Sequence, residues 1–177
     1  MWDEGRRQRE SNAAALTSVA GATDVGLWPP GERNPAAMND SPGVNKVIAG
    51  RLAREIFSQG NLATLAEIIA DSYVNHNIPV PGIPGTKEGF RQLVEATRHA
   101  FPDVEVHVEH MVAEGDLVVF HDYATATSKG DFFGVPPNGK KLRWTEIHFL
   151  RVAGGQIVEH WTNFDQLGIL RQLGVVA

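Results

Sequence analysis

Hydrophobic residues in the first half of the chain recur at spacings of three and four, the period of an amphipathic helix. Val44 to Phe57 follows this pattern and predicts a first helix, which Gln59-Gly60-Asn61 ends. A second helix is predicted at Leu62 to Ile69. A third runs from Lys87 to about Ala100 and stops before Pro102, because a residue that precedes proline avoids helical dihedral angles.

The second half changes to a period of two, which is typical of strands with one buried face. It predicts an antiparallel meander of strands at Val104 to Glu109, Leu117 to Thr127, Leu142 to Val152 and Gln156 to Asn163. A short strand around residues 73–78 precedes a Pro/Gly loop, and residues 164–173 form a last helical segment. The predicted class is therefore α+β, with a strongly curved sheet wrapped around three N-terminal helices.

Residues 1–37 differ from the rest, because they are rich in Ala, Ser, Gly and Pro and have no apolar periodicity. They predict a disordered N-terminal tail, followed by one domain at residues 38–177. Acidic residues interrupt the arginine cluster near the start, and the stretch that follows is too polar for an export signal. A cytoplasmic protein is therefore expected.

Composition narrows the chemistry further. The net charge of −5 opposes a broad phosphate-binding surface, and no apolar run approaches the roughly 20 residues that cross a bilayer. The chain has no cysteine, P-loop, dinucleotide-binding glycine motif or His-Glu-x-x-His pair. We therefore expect no nucleic-acid or membrane partner, no metal and no cofactor.

One predicted strand places polar residues on an apolar face. Glu146 and His148 alternate with Leu142, Trp144 and Leu150, so all five share one face. If this face looks into the domain, a carboxyl group and an imidazole meet in an apolar cavity, where burial and neighbouring charge tune them for proton transfer near neutral pH. In the alternative, the opposite face is buried, and this pair faces solvent.

Three other strands carry polar pairs beside aromatic residues. His121 and Tyr123 share a face, as do Trp161 and Asn163 near the end of the last strand. Asn75 and Asn77 alternate before the Pro/Gly loop, with His76 pointing the other way. Any one pair is more often an ordinary hydrogen-bonded group. Together they predict a polar pocket at one end of the sheet.

Several segments carry a family resemblance that covers residues 44 to 174 in order. They are FSQGNL at 57–62, YVNHN at 73–77, GTKEGFR at 85–91, AFPD at 100–103, FGVPPNGK at 133–140, QIVEHW at 156–161, Asp165 and QLG at 172–174. The chain resembles the SnoaL-like polyketide cyclases (ester cyclases) of the NTF2-like superfamily. The resemblance implies a cone-shaped barrel, a pocket for a hydrophobic small molecule, and homodimers formed through the outer sheet face.

The resemblance also implies acid/base aldol chemistry without a cofactor, in which a pocket carboxylate removes a proton next to carbonyl groups. The family pattern carries over to Glu146 and His148 as one pair and to Trp161 and Asn163 as another. The catalytic aspartate is matched by Asn163, which cannot take up a proton. Either Glu146 with His148 acts as the base, or the protein does not perform the cyclisation.

The expected site thus has Glu146, His148 and Asn163 as catalytic residues. The residues expected to bind substrate or line the pocket are His121, Tyr123, Asn75, His76, Asn77, Trp144 and Trp161. Asp165, just before the last helical segment, is interpreted as a helix cap.

Three other functions stay open at this stage. A non-catalytic protein that binds small molecules has the same fold, as does a protein-interaction module of the nuclear-transport type. Limonene-epoxide hydrolases also share it, but their Asp/Arg/Asp relay would fall on Tyr123, His121 and Asn163, so both of its carboxylates are absent. Water activation of that kind is disfavoured.

Overall fold

The structure is a computed structural model that describes residues 41–78, 80, 82–132 and 134–177. The predicted tail at residues 1–37 lies outside this range. Within the described residues, no helix has the length and apolar character needed to span a membrane.

Four helical elements are present in the described residues, and each begins at a side-chain cap. Helix α1 covers Pro42–Arg51 and continues as a π-helical segment, Leu52–Ser58. Helices α2, α3 and α4 cover Leu62–Ile68, Lys87–Ala100 and Gln166–Leu173. The interpretation of Asp165 as a cap is confirmed, because its carboxylate accepts the backbone N–H of Gly168 at 2.8 Å.

Five strands form one mixed sheet in the order β1-β5-β4-β3-β2. The strands are β1 (Ile69–Asn75), β2 (Glu105–Glu114), β3 (Leu117–Thr127), β4 (Lys141–Ala153) and β5 (Gln156–Phe164). Strand β1 runs parallel to β5, and the other neighbours are antiparallel. The described strands do not close into the expected barrel. Strands β1 and β2 are the two edges of the sheet and do not pair with each other.

The first strand begins earlier than predicted. The sequence pattern places Ile69 at the end of a helix, but the residue pairs with Ile157 of β5 and starts β1. Both residues are fully buried in the core. Tertiary pairing therefore overrides a helical pattern that is only two turns long.

The inner face of the sheet packs against the helices in two apolar clusters. The larger one joins α1, the π-helical segment and α3 to the sheet around Leu52, Ile56 and Phe120. The smaller one is centred on Phe101 and Trp144. Fully burying one such side chain contributes about 1.5–3 kcal/mol, so these clusters fix which face of each strand points inward.

Candidate active site

The structure decides the orientation of β4. His148 is 1% exposed, whereas its neighbours Ile147 and Phe149 are 41% and 43% exposed. Glu146 lies on the same inner face as His148 and lines the same cavity. Opposite them β3 buries alternate residues, so the adjacent strands present one continuous inner face. The carboxyl group and the imidazole therefore point into the domain.

They line a cavity between the sheet and the helices. The empty space among its lining residues, together with the open solvent at its mouth, is about 850 Å³. Aromatic side chains form much of the wall, namely Phe57, Phe90, Phe101, Phe132, Trp144 and Phe164. The polar groups in the lining come from Asn75, Thr97, Glu146, His148, His160 and Thr162. Small-molecule sites commonly combine apolar walls with a few convergent polar groups in this way.

Glu146 is held by two neighbours on its own strand. The indole N–H of Trp144 donates to Oε1 at 2.5 Å, and Nε2 of His148 lies 3.0 Å from Oε2. Burial acts to raise the pKa of Glu146, but contact with His148 and the hydrogen bond from Trp144 outweigh it. The pKa therefore lies below its usual value, and the side chain is a carboxylate at neutral pH.

A second carboxyl group, which the sequence interpretation did not select, lies behind His148. Asp122 pairs with Glu146 across β3 and β4, is completely buried, and places Oδ2 3.4 Å from Nε2 of His148. Burial raises its pKa to about 7; the charge of Glu146 adds to this rise, and the charge of His148 opposes it. Its signal was visible as the one acid on an otherwise apolar face of β3.

On the other side of His148, a buried hydrogen-bonded chain runs to β1. His148 Nδ1 lies 2.9 Å from Nε2 of His160, and His160 Nδ1 lies 2.9 Å from the hydroxyl of Tyr73. The hydroxyl of Thr162 contacts both imidazoles, at 3.2 Å and 2.7 Å. Burial, followed by the charge of His148, holds the pKa of His160 well below its usual value, so His160 is neutral. The chain thus holds His148 at Nδ1 and leaves Nε2 directed at the two carboxyl groups.

Two other predicted residues lie at the cavity. Asn75 is 7% exposed and lines the cavity from the end of β1. Trp144 is 5% exposed and forms part of the wall. These positions agree with the expected placement, and a role in binding remains a prediction.

The placement of His121 and Tyr123 in the pocket is wrong. Both lie on the outer face of β3, where His121 contacts Glu109 at 3.2 Å and Tyr123 packs against the guanidinium of Arg143 at 4.0 Å. Because strand side chains alternate, burying the face that contains Asp122 turns these two residues outward.

Trp161 and Asn163 also lie outside the cavity. Alternation from Ile157 predicts that both point inward, but the pairing of β4 with β5 shifts by one residue near Arg151 and Val152. Beyond this bulge His160 and Thr162 point inward, so Trp161 is turned outward and Asn163 is exposed. The same bulge explains why sequence alternation missed His160.

His76 and Asn77 connect β1 to β5 outside the cavity. His76 stacks on Trp161 with ring centroids 4.3 Å apart, and its Nε2 lies 2.8 Å from the carboxylate of Glu159. The side chain of Asn77 accepts the backbone N–H of Thr162 at 2.8 Å and donates to the carbonyl of the same residue. These contacts hold the end of β1 against β5, and a role of either residue in substrate binding stays a prediction.

Comparison with known proteins agrees with this architecture. The sequence pattern of the SnoaL-like polyketide cyclases matches residues 47–173. Aklanonic acid methyl ester cyclase DauD from Streptomyces sp. strain C5 is 30% identical over 127 residues, which cover 68% of this chain and 76% of that protein. Nogalonic acid methyl ester cyclase from Streptomyces nogalater is 30% identical over 122 residues, covering 67% and 89%.

Among solved structures, IdmH from Streptomyces antibioticus superimposes with a TM-score of 0.63 at 37% identity. The match covers 73% of this chain and 98% of IdmH. The family pattern spans most of the domain, including every strand and the cavity-lining residues. The chain belongs to the SnoaL-like polyketide cyclase family.

Proposed function

We propose that this protein is a cofactor-independent acid/base enzyme that closes a ring in a hydrophobic, carbonyl-containing small molecule. The observation that carries the proposal is the position of Glu146 and His148, whose side chains lie 3.0 Å apart at an aromatic-walled cavity. Relatives named as methyl ester cyclases support a substrate of the polyketide ester class.

In the proposed reaction, Glu146 removes a proton from a carbon between carbonyl groups. The electron pair of the broken C–H bond forms an enolate, whose carbon attacks a second carbonyl carbon of the same molecule. The new C–C bond leaves an alkoxide, which takes the proton back from the carboxyl group of Glu146. No atom is lost, so the overall step is an isomerisation.

The surroundings fit these roles. A carboxylate whose pKa is kept low is a weak base, so it suits a carbon acid that two carbonyl groups already activate. Nε2 of His148 lies 3.0 Å from Oε2 of Glu146 and stabilises the negative charge that the carboxylate carries before and after the transfer. The amide of Asn75 and the hydroxyls of Thr97 and Thr162 are neutral polar groups in the cavity lining that can orient carbonyl oxygens.

The proposal includes a homodimer formed through the outer face of the sheet. Val112, Ile147 and Phe149 leave apolar surface on this face, with exposures of 64%, 41% and 43%. Exposed apolar side chains grouped on one face are typical of association sites.

Epoxide hydrolysis is not supported, because the three positions that match the hydrolase relay, Tyr123, His121 and Asn163, lie outside the cavity.

The test uses Glu146→Gln with aklanonic or nogalonic acid methyl ester as substrate and a chelator in the buffer. Loss of a general base lowers turnover by about 10²- to 10⁴-fold. Binding, followed by quenching of tryptophan fluorescence, is expected to change little, since glutamine keeps the shape of the side chain. The matched control is Glu109→Gln on the outer face, which should retain full turnover.

A non-catalytic binding protein would give a different result. In that case neither variant changes product formation, because the wild type has none above the uncatalysed background, and only ligand affinity responds to Glu146→Gln. Turnover that survives Glu146→Gln at the wild-type rate contradicts the assignment of the base.

A further inference from the structure

Three potential metal ligands meet on adjacent strands. One carboxylate oxygen each from Asp122 and Glu146 and Nε2 of His148 all lie within 4.8 Å of one another. Asp122 and Glu146 are directly opposed in the register of β3 and β4, and His148 follows two residues later on the same face. Because the ligands come from two strands, no short sequence motif reveals the cluster.

Two of the three separations match coordination of a single ion, and the third is within 4.8 Å. Nε2 of His148 lies 3.0 Å from Glu146 Oε2 and 3.4 Å from Asp122 Oδ2. Ligands about 2.1 Å from zinc are separated by about 3.0 Å at a right angle and by about 3.4 Å at the tetrahedral angle. A small inward adjustment of the side chains would complete three ligands of one coordination sphere.

Unpartnered polar atoms at this point are an independent observation. Both oxygens of Asp122 are buried and have no hydrogen-bond partner among the described residues. The side chains of Asp122 and His148 are 0% and 2% exposed. Leaving such atoms unpaired costs about 1–3 kcal/mol each, and a bound cation removes that cost. The described residues that line the cavity include no lysine or arginine to balance the carboxylates.

The neighbours of the cluster orient the ligands as in known metal sites. His160 and Thr162 contact Nδ1 of His148, which directs Nε2 toward the carboxyl groups. Trp144 donates to Oε1 of Glu146, so Oε2 is the oxygen that faces Nε2 of His148. Partners of this kind commonly fix the ring orientation and basicity of metal-binding histidines and carboxylates.

We propose that Asp122, Glu146 and His148 bind a divalent transition-metal ion such as Zn²⁺, with a coordination position open to the cavity. Two carboxylates and one imidazole suit first-row divalent ions, and zinc binds such sets more tightly than manganese. Access is through the cavity, since Glu146 and His148 line it. An ion bound to Glu146 Oε2 occupies the electron pair that the proposed proton transfer needs, so it acts as an inhibitor.

Metal binding is inferred from the geometry of the site alone, and only the inhibition by the ion rests on the proposed reaction. Binding is measured without substrate, so a failure of the cyclase proposal leaves it standing. Turnover is measured with a chelator, so a protein that binds no metal can still be a cyclase. The two proposals therefore fail separately.

The experiment is calorimetric titration of the full chain, freed of metal by a chelator and dialysed, with Zn²⁺ and separately with Mn²⁺. We expect one saturable site per chain, tighter for zinc, and a loss of affinity of at least about tenfold in both Asp122→Asn and Glu146→Gln. The control is Glu109→Gln, which removes a carboxylate beside the outer-face His121 and should leave the affinity unchanged.

Absence of a saturable site, or zinc binding that survives either pocket substitution, overturns the inference. Loss of binding in Glu109→Gln also does so, because it places the ion on the outer histidines. Circular dichroism confirms that each variant is folded. Should Asp122→Asn fail to fold, Glu146→Gln carries the test, since its side chain is 19% exposed and less deeply packed.

Discussion

Nε2 of His160 lies 2.9 Å from Nδ1 of His148, so two buried imidazoles from neighbouring strands hold each other in place. His160 is in turn hydrogen-bonded to the hydroxyl of Tyr73 on β1. The chain links three strands through polar groups inside an apolar core. Buried polar groups that are fully paired add rigidity, whereas one that loses its partner is costly.

Replacing His160 by phenylalanine is therefore expected to destabilise the fold. An aromatic ring is kept, but the hydroxyl of Tyr73 loses its imidazole partner, at about 1–3 kcal/mol, while Nδ1 of His148 keeps only its contact with Thr162. Urea unfolding measures the change in the free energy of unfolding. Tyr73→Phe, which removes only the hydroxyl at the end of the chain, should cost less. If His160→Phe were as stable as the wild type or more stable, the hydrogen bonds from Tyr73 through His160 to His148 would not stabilise the fold.

Asp122 predicts a pH dependence of stability. Its pKa is about 7 in the fold against an ordinary 3.8, because burial penalises the charged form. Between these two values the folded state binds more protons than the unfolded state, so stability falls as pH rises from about 4 to 7. The contribution of this one group is at most about 4 kcal/mol.

Asp122→Asn cannot ionise and should remove this part of the decline. Chemical unfolding at several pH values, in buffer with a chelator, compares the slope of the variant with that of the wild type. Parallel slopes for the two proteins would show that Asp122 does not titrate in this range.

Trp144→Phe tests how the indole acts on Glu146. Phenylalanine keeps the apolar wall but removes the N–H that donates to Oε1. The pKa of Glu146 should rise, so the acid limb of the turnover profile should move to higher pH. The rate well above this limb should fall by less than about tenfold, since the catalytic carboxylate remains. An acid limb at the same pH in both proteins would show that the hydrogen bond from Trp144 does not lower the pKa of Glu146.

The outer-face residues should be dispensable for turnover. Tyr123→Phe and Asn163→Ala are expected to keep kcat and KM close to the wild-type values, because both side chains lie outside the cavity. Asn75→Ala, at the cavity, should raise KM through the loss of a polar contact. Kinetics with the same methyl ester substrate separate the two groups. A large loss of turnover in Asn163→Ala would instead support Asn163 as a catalytic residue, against its position outside the cavity.

Two helical glycines should respond in opposite directions to alanine. A Cβ on Gly89 would overlap the backbone carbonyl oxygen of Pro84, so Gly89→Ala should displace the start of α3 and destabilise the fold. Gly50 in α1 has open space around it, and alanine there should stabilise by about 0.5–1 kcal/mol through helix propensity. Thermal unfolding of both variants measures the contrast.

The sequence predicted much of the fold because its periods are strong. Helices near residues 44–57 and 87–100 and the long strands at 117–127 and 142–152 follow directly from spacings that bury one face. The capping role of Asp165 could also be predicted, because a helix cap depends only on residues a few positions away in the sequence. Glu146 and His148 were identified as candidates because they interrupt an apolar face.

Which face of a strand is buried was settled only by tertiary structure. Alternation alone does not say which face is buried, so the sequence interpretation placed His121 and Tyr123 in the pocket, although the face of β3 that carries Asp122 is the more apolar one. In β5 a bulge reverses the alternation after Ile157, and nothing local marks it. His160 therefore entered the site and Asn163 left it through the pairing of β4 with β5.

The sequence by itself determined the class of fold, the type of chemistry available and the two central side chains, because these depend on residue identity and short-range periodicity. Only the tertiary structure brought Asp122 and His160 to opposite sides of His148. The reason is that strand register and bulges are set by packing between elements far apart in the chain.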